Sequence, residues 1–444
     1  MQINHTHDPS ARSWVDSAAQ GGDFPIQNLP YGVFRRAGAD EPWRAGVAIG
    51  DAVLDLAALA RTRLLEAGQD DAARLAQRAA EAAAAQELNG FMAMGPAAWR
   101  TLRHTLFALL RDDVAGTARE SVRACLVAQD AVEHRMPVRA GDYTDFYTSL
   151  HHARNCGKAI GNPDMMSPNF LWMPIAYHGR ASTLGVGQHF HRPLGQYLEP
   201  GAQAPVVRRC ERLDYELELA VYIGQPNLQG QPVPLDRADE HIFGLGLLND
   251  WSARDFQFWE MAPLGPFLAK NFATTVSPWI VTLEALAPFR LPFERAAQYP
   301  APLPYLDGAE LRQRGVFDIA LSVTLQTARM RERGSGGALL SRSNFRHQHW
   351  TVSQMLAHHT MGGCSLQAGD ILGTGTISGP EPSEAGALLE LAQAGKQPFR
   401  LPDGDERSFL HDGDAVLLRG WCERDGAARI GFGECRGQVL TAVA

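Results

Sequence analysis

The sequence is poor in the patterns that mark several large classes of protein. Its six cysteines, Cys125, Cys156, Cys210, Cys364, Cys422 and Cys435, form no CxxC pair. Neither a zinc ribbon nor a disulfide framework is indicated, and a reducing cytoplasm is the expected compartment. No uninterrupted apolar run reaches the roughly 18 residues of a spanning helix. The opening MQINHTHDPSARSW lacks a basic-then-apolar leader, so a soluble, unexported protein with no membrane partner is expected. Excess positive charge is missing as well: the formal net charge is -8 and the pI is near 6.0, which argues against nucleic acid as the main partner. GTGTISGP, residues 373–380, has neither the GxGxxG spacing nor the Lys-Ser/Thr of a phosphate loop, and reads better as a glycine turn presenting a Thr hydroxyl. The pairs His189/His191, His347/His349 and His358/His359 come without HExxH or a cysteine partner pattern, so zinc is not indicated.

What is present is ordinary in bulk and unusual in detail. The 444 residues are 45% hydrophobic and 20% charged, with 27 prolines and 43 glycines, a composition that allows a sizeable core cut by many turns. Residues up to about Asp23 read as a polar entry arm. Short β-like runs, YGVFRR and RAGVAIGDAVLDL, follow between residues 30 and 56. An Ala-rich helical stretch over 55–88 has Gly68 as its expected break, and another helix is expected over 99–110. After about Ala128 aromatics, histidines and turn residues become dense. Repeated β-like runs there predict a large, mainly antiparallel sheet structure. The expected division is therefore 1–128 and 129–444.

The run RLDYELELAVYIG is the most informative. On a strand its alternation places Leu213, Tyr215, Leu217 and Leu219 on one face and Asp214, Glu216 and Glu218 on the other. Carboxylates about 7 Å apart on a face that continues into Ala220 and Tyr222 need a cation or a cluster of donors among them. That face reads as a metal site. GDYTDFYTSLHHARN is a second dense region, in which adjacent His151 and His152 cannot both face one site. In NDWSARDFQFWEMAPLGPFLAKNF, ionisable groups alternate with bulky apolar walls that strengthen charge interactions. Lys270 there reads as a partly enclosed ammonium, against the alternative of a snorkelling surface lysine.

Taken together, DYTDFY, AYHGRAS, LDYELELA, LNDWSARDFQ, PLGPFLAKNF, RSNF and GTISG resemble the fumarylacetoacetate hydrolase family in order and spacing. Residues 25–56 are also similar to the family's N-terminal part. The resemblance implies a mainly β fold with some α: a small N-terminal SH3-like β-barrel domain and a large C-terminal mixed β-sandwich roll, assembled as a homodimer. It implies metal-dependent hydrolysis of a carbon-carbon bond in fumarylacetoacetate, giving fumarate and acetoacetate at the end of tyrosine and phenylalanine catabolism. By position, Asp145, Glu216, Glu218 and Asp250 become ligands of Ca²⁺ or Mg²⁺, hard ions that suit oxygen donors. Asp250, Lys270 and Thr274 match a second cation position, for Mg²⁺. His152 matches the general base, Glu390 the carboxylate that orients it, and Arg254, Gln257 and Lys270 the groups around the developing oxyanion. Tyr147, Gln257 and Thr376 match substrate contacts, and Tyr177 is expected in the same pocket. Two departures stand out: Met261 occupies the place of a substrate-contacting tyrosine, and KAIGNPDMM lacks the arginine expected after the catalytic histidine. Arg154 and Lys158 are the candidates to replace it. A related acylpyruvate-type hydrolase, decarboxylase or isomerase is the nearest alternative, and a non-catalytic calcium-stabilised binding protein is a second.

Overall fold

The computed structural model describes residues 2–18, 22–162, 166–187 and 189–443. Pro163, Asp164 and Met165, in the segment that lacks the expected arginine, lie outside the described residues.

The N-terminal β-like runs form a five-stranded antiparallel sheet in the order Leu126–Ala128, Ala52–Asp55, Arg44–Ile49, Tyr31–Arg36, Val132–Arg135. Among the described residues its two edge strands do not pair with each other. The Ala-rich stretch folds as helices Leu56–Thr62 and Asp71–Ala83, and the next helix runs Pro96–Leu110. The break falls around Gly68, where the chain passes through a short 3-10 turn before Asp70 caps the second helix by accepting from Ala73 N. Small alanines let these helices lie close. Ala76, Ala79, Ala80 and Ala83 share one core with Leu102 and Leu106, and with Ala220, Tyr222, Phe243 and Ile371 of the large sheet. The helices thus pack across the seam between the two halves of the chain.

The segment expected to be a polar entry arm is docked. Thr6, His7, Trp14 and Val15 are buried. His7 Nε2 lies 2.7 Å from the carbonyl of Glu284, Asn4 donates to the Glu284 carboxylate, and Trp14 Nε1 donates to Leu109 O. The polar residues that suggested an arm are partners for groups that would otherwise be buried unpaired.

Two sheets carry the rest. One has eight strands, seven of them in the order Ala176–His178, Tyr143–Phe146, Ile371–Gly373, Leu217–Ile223, Ile242–Asp250, Thr274–Val276, Leu184–Val186. It is mixed: Ile371–Gly373 runs parallel to Tyr143–Phe146, and Thr274–Val276 parallel to Leu184–Val186. The other joins Ala338–Asn344, Ala320–Gln326, Ala415–Cys422, Ile430–Leu440 and His189–His191. Leu217, Leu219, Leu245 and Leu247 of the first sheet share a core with Leu321, Val323, Leu418 and Phe432 of the second. The period-two pattern explains the partition of strand Leu217–Ile223: Leu217, Leu219, Val221 and Ile223 enter this inter-sheet core, while Ala220 and Tyr222 enter the core beneath the helices. Both faces of the strand are covered, and Glu216 and Glu218 belong to the second.

Candidate active site

Neighbouring strands bring the carboxylates together. Asp145 is the third residue of Tyr143–Phe146, Glu218 the second of Leu217–Ile223, Asp250 the last of Ile242–Asp250, and Glu216 immediately precedes its strand. Register places Gly373 beside both Asp145 and Ala220, and Leu248 beside Glu218. Asp145, Glu216, Glu218 and Asp250 are all buried, and each offers an oxygen within 4.8 Å of those of the others. The intervening strand contributes Gly373, where a Cβ would stand 2.6 Å from Asp145 Oδ1 and 3.1 Å from Glu218 Oε2. Any side chain there would fill the space the carboxylates enclose.

Few donors enter this cluster. Lys270 Nζ donates to Glu216 Oε2 at 2.6 Å and to Asp250 Oδ2 at 2.7 Å. Arg254 Nη1 lies 2.7 Å from Glu216 Oε1. Tyr177 OH and Thr274 Oγ1 donate to Asp250 at 3.0 and 3.2 Å. Gly375 N, in a backbone conformation with φ of +73° that favours glycine, donates to Glu218 Oε2. Asp145 Oδ1 and Glu218 Oε1 are buried with no partner. Two buried carboxylate oxygens without donors are costly, and two cationic side chains cannot neutralise four carboxylates. A divalent cation fits both deficits, and an all-oxygen donor set suits Ca²⁺ or Mg²⁺. The titration shifts follow the same geometry. Burial pushes Asp145 and Glu218 well above the usual carboxylate range; the charges of Asp250 and Glu216 add to both shifts, and that of Asp145 adds to the shift of Glu218. Burial also raises Asp250 in spite of Lys270. For Glu216 burial is outweighed by Lys270 and Arg254, which hold its carboxyl low.

A second unit stands beside the cluster. Ser149 caps helix Leu150–Ile160 by accepting from His152 N, which fixes the first turn carrying both histidines. His152 is buried, whereas His151 is half-buried and stacks edge-on near His347. His152 Nδ1 lies 2.7 Å from Glu390 Oε1. Glu390 also accepts from Ser378 Oγ and Asn155 Nδ2, each at 2.8 Å, so its carboxylate is fully oriented. Burial alone would lower the imidazole pKa, but Cys156 and Glu390 outweigh it and raise it well above 6.5. Asp214, which the alternation grouped with the acidic face, leaves it because the strand is interrupted at Tyr215 and Glu216. It accepts from Leu388 N and Leu389 N at the start of the short helix Leu388–Leu391, and from Arg254 Nε. Asp214 therefore ties the helix bearing Glu390 to Arg254.

Asp145 and Glu216 of the cluster and His152 of the dyad open into one cavity of about 310 Å³, lined also by Tyr147, Cys156, Tyr177, Arg254, Gln257, Met261, Lys270 and Thr376, among others. Gln257 Oε1 accepts from Arg254 Nη1 at 3.0 Å. Thr376 Oγ1 is buried without a partner. Arg154 and Lys158 are exposed and outside this lining, with the Arg154 guanidinium over Tyr299. A larger cavity, about 950 Å³, contains none of these residues. Sequence reasoning missed Ser378, Asn155 and Cys156. Asn155 and Cys156 lie one turn beyond His152, a spacing that places them on its face of the helix. No such local signal marks Ser378.

Comparison with known proteins fits this geometry. Residues 143–440 match the family model described as fumarylacetoacetate (FAA) hydrolase C-terminal, and residues 27–137 that described as fumarylacetoacetase N-terminal. The chain is 45% identical to the fumarylacetoacetases of Bos taurus, over 436 residues, and of Homo sapiens, over 432; each alignment covers 96% of this chain and 98% of the relative. Identity to that of Oryza sativa subsp. japonica is 45% over 438 residues, covering 97% of this chain and 98% of the relative. The solved fumarylacetoacetate hydrolase of psychrophilic Exiguobacterium antarcticum shares the fold, with a TM-score of 0.50 and 17% identity, covering 93% of this chain and 99% of that one. Fold, site and matches together define a hydrolase whose buried carboxylate cluster is suited to a metal ion. More narrowly, the chain belongs to the fumarylacetoacetate hydrolase family.

Proposed function

We propose that this chain hydrolyses the carbon-carbon bond of fumarylacetoacetate between its two carbonyl-bearing halves, releasing fumarate and acetoacetate in the last step of tyrosine and phenylalanine catabolism. One observation carries the proposal: His152, paired with Glu390, and Asp145 and Glu216 of the four-carboxylate cluster line the same cavity. Asp145, Glu216, Glu218 and Asp250 would hold one divalent cation, Ca²⁺ or Mg²⁺, whose Lewis acidity favours enolate formation on the leaving fragment. Asp250, Lys270 and Thr274, joined by hydrogen bonds to the Asp250 carboxylate, would mark a second, structural Mg²⁺ position.

The residues divide the work. With its Nδ1–H directed to Glu390, His152 presents Nε2 as acceptor, and takes a proton from the water that attacks the carbonyl. Glu390 fixes that tautomer and stabilises the imidazolium. Arg254, Gln257 and Lys270 surround the oxygen that becomes negative as water adds, where losing one donor costs about 10²–10³ in rate. Tyr147, Tyr177, Gln257 and Thr376 would contact the substrate, and Met261 gives the wall near Gly265 an apolar character. A site serving only to tie strands together needs neither the cavity nor the dyad.

The free cysteines support a reducing cytoplasm as the working compartment. Exposed Phe258, Trp259, Leu264 and Phe267 form an apolar stretch beside the cavity, which supports assembly as a homodimer. The test of the substrate is direct: purified protein is given fumarylacetoacetate and, separately, acylpyruvates. Faster cleavage of fumarylacetoacetate is expected, and cleavage of acylpyruvates alone would overturn the substrate assignment.

A further inference from the structure

Cys156 has no part in the hydrolysis just described, yet it sits in the middle of its machinery. It lies one turn after His152 on helix Leu150–Ile160, lines the 310 Å³ cavity, and places Sγ 3.4 Å from His152 Nε2 and 3.7 Å from Nδ1. Of the six cysteines it alone is in the lining of that cavity. Cys156 is buried, as are Cys125, Cys210, Cys422 and Cys435, but those four are not in this lining, and Cys364 is exposed. A second feature marks the cavity that Cys156 lines as a place for a ligand atom. Thr376, on the same lining, is 1% exposed, and its hydroxyl has no protein partner.

We propose that Cys156 is a covalent modification site for small α,β-unsaturated carbonyl compounds, with the carboxylate-paired imidazolium of His152 holding its sulfur as the thiolate. Nucleophilicity resides in the thiolate, which a neighbouring imidazolium favours; Sγ stands over the face of the ring, near both nitrogens, so the contact acts through charge. The thiol proton leaves to water, and sulfur bonds to the β-carbon of the alkene. The π pair moves through the α-carbon onto the carbonyl oxygen as an enolate. Water then returns a proton to the α-carbon, leaving a saturated thioether; no oxidant or reductant takes part. An unsaturated oxo-acid retained without being cleaved would inactivate the enzyme by this route, which for that ligand rests on the reading of the substrate above.

The test uses N-ethylmaleimide, a small member of the class, with incorporation at each cysteine followed by peptide mass spectrometry in wild type, Cys156→Ser and His152→Gln. The expected result in wild type is one addition at Cys156 besides that at exposed Cys364, slowed by saturating acetoacetate. In His152→Gln the rate at Cys156 falls by about tenfold or more while that at Cys364 is unchanged. Cys210, Cys422 and Cys435 report folding, since they remain unlabelled in any folded variant. Labelling at Cys364 with Cys156 untouched would overturn the proposal, as would a rate at Cys156 that ignores the loss of His152. Mass measurement needs no turnover, so a chain that fails to cleave fumarylacetoacetate can still pass or fail this test.

Discussion

In the proposed mechanism His152 acts as a base only when neutral, so its surroundings would decide the pH at which the enzyme works. Burial pulls its pKa down, and Cys156 and Glu390 more than reverse that. Activity limited by this group rises as pH rises through the imidazole pKa, because deprotonation creates the base. Replacing Glu390 by Gln removes an anion that favours the imidazolium and leaves burial opposed by Cys156 alone. The expected outcome is a loss of about 10²-fold or more in kcat/KM, with the ascending limb of its pH profile moved to lower pH. An unshifted limb would show that Glu390 does not govern the imidazole. Legibility at this scale was uneven. Glu216, Glu218 and Lys270 could be read from local alternation and apolar neighbours, and His152 and Glu390 from motif resemblance. Asp214 was misplaced because a two-residue interruption of the strand, at Tyr215 and Glu216, cannot be seen in a perfectly alternating run.

Among elements, helix Leu150–Ile160 and the loop after strand Ile371–Gly373 hold the two halves of the site in register. Within that loop Gly375 N donates to Glu218, and Ser378 Oγ donates to Glu390, so one short segment spans the carboxylate cluster and the dyad. Ser378→Ala should lower kcat more than it raises KM, since it frees Glu390 from one of its three partners without touching the substrate. A change in KM alone would place Ser378 in ground-state binding. Ser149→Ala removes the cap at the other end of the arrangement and should cost about 1 kcal/mol in denaturant unfolding. The strands, the Gly68 break and the alanine helices were readable because period and propensity are local properties. The parallel pairings of Tyr143–Phe146 with Ile371–Gly373 and of Ile430–Leu440 with His189–His191 join segments more than 200 residues apart. Period-two patterning carries no information on such partners. The docked N-terminal segment escaped notice for a related reason: its partner Glu284 is supplied by residues far along the chain.

For the whole molecule, a cation held by the carboxylate cluster would couple its binding to stability. Asp145, Glu218 and Asp250 have folded-state pKa values raised above the ordinary carboxylate value. The fold therefore binds protons that the unfolded chain releases. By linkage, these groups cost stability increasingly as pH rises above about 4 through their raised values. A bound divalent cation removes that cost, and at a hundredfold excess over Kd it adds about 2.7 kcal/mol. Chelation should thus lower Tm more at pH 8 than at pH 5, and restoring Ca²⁺ or Mg²⁺ should recover it. An equal loss of Tm at both pH values would separate the cluster from stability.

The most direct test is calorimetric titration of Ca²⁺ into chelator-treated protein, with fumarylacetoacetate cleavage measured on the same samples. The expected result is high-affinity uptake with turnover returning in proportion. In an Asp145→Asn/Glu218→Gln variant, uptake and turnover should both be lost. Full turnover by the chelator-treated wild type with no divalent cation added would contradict the account.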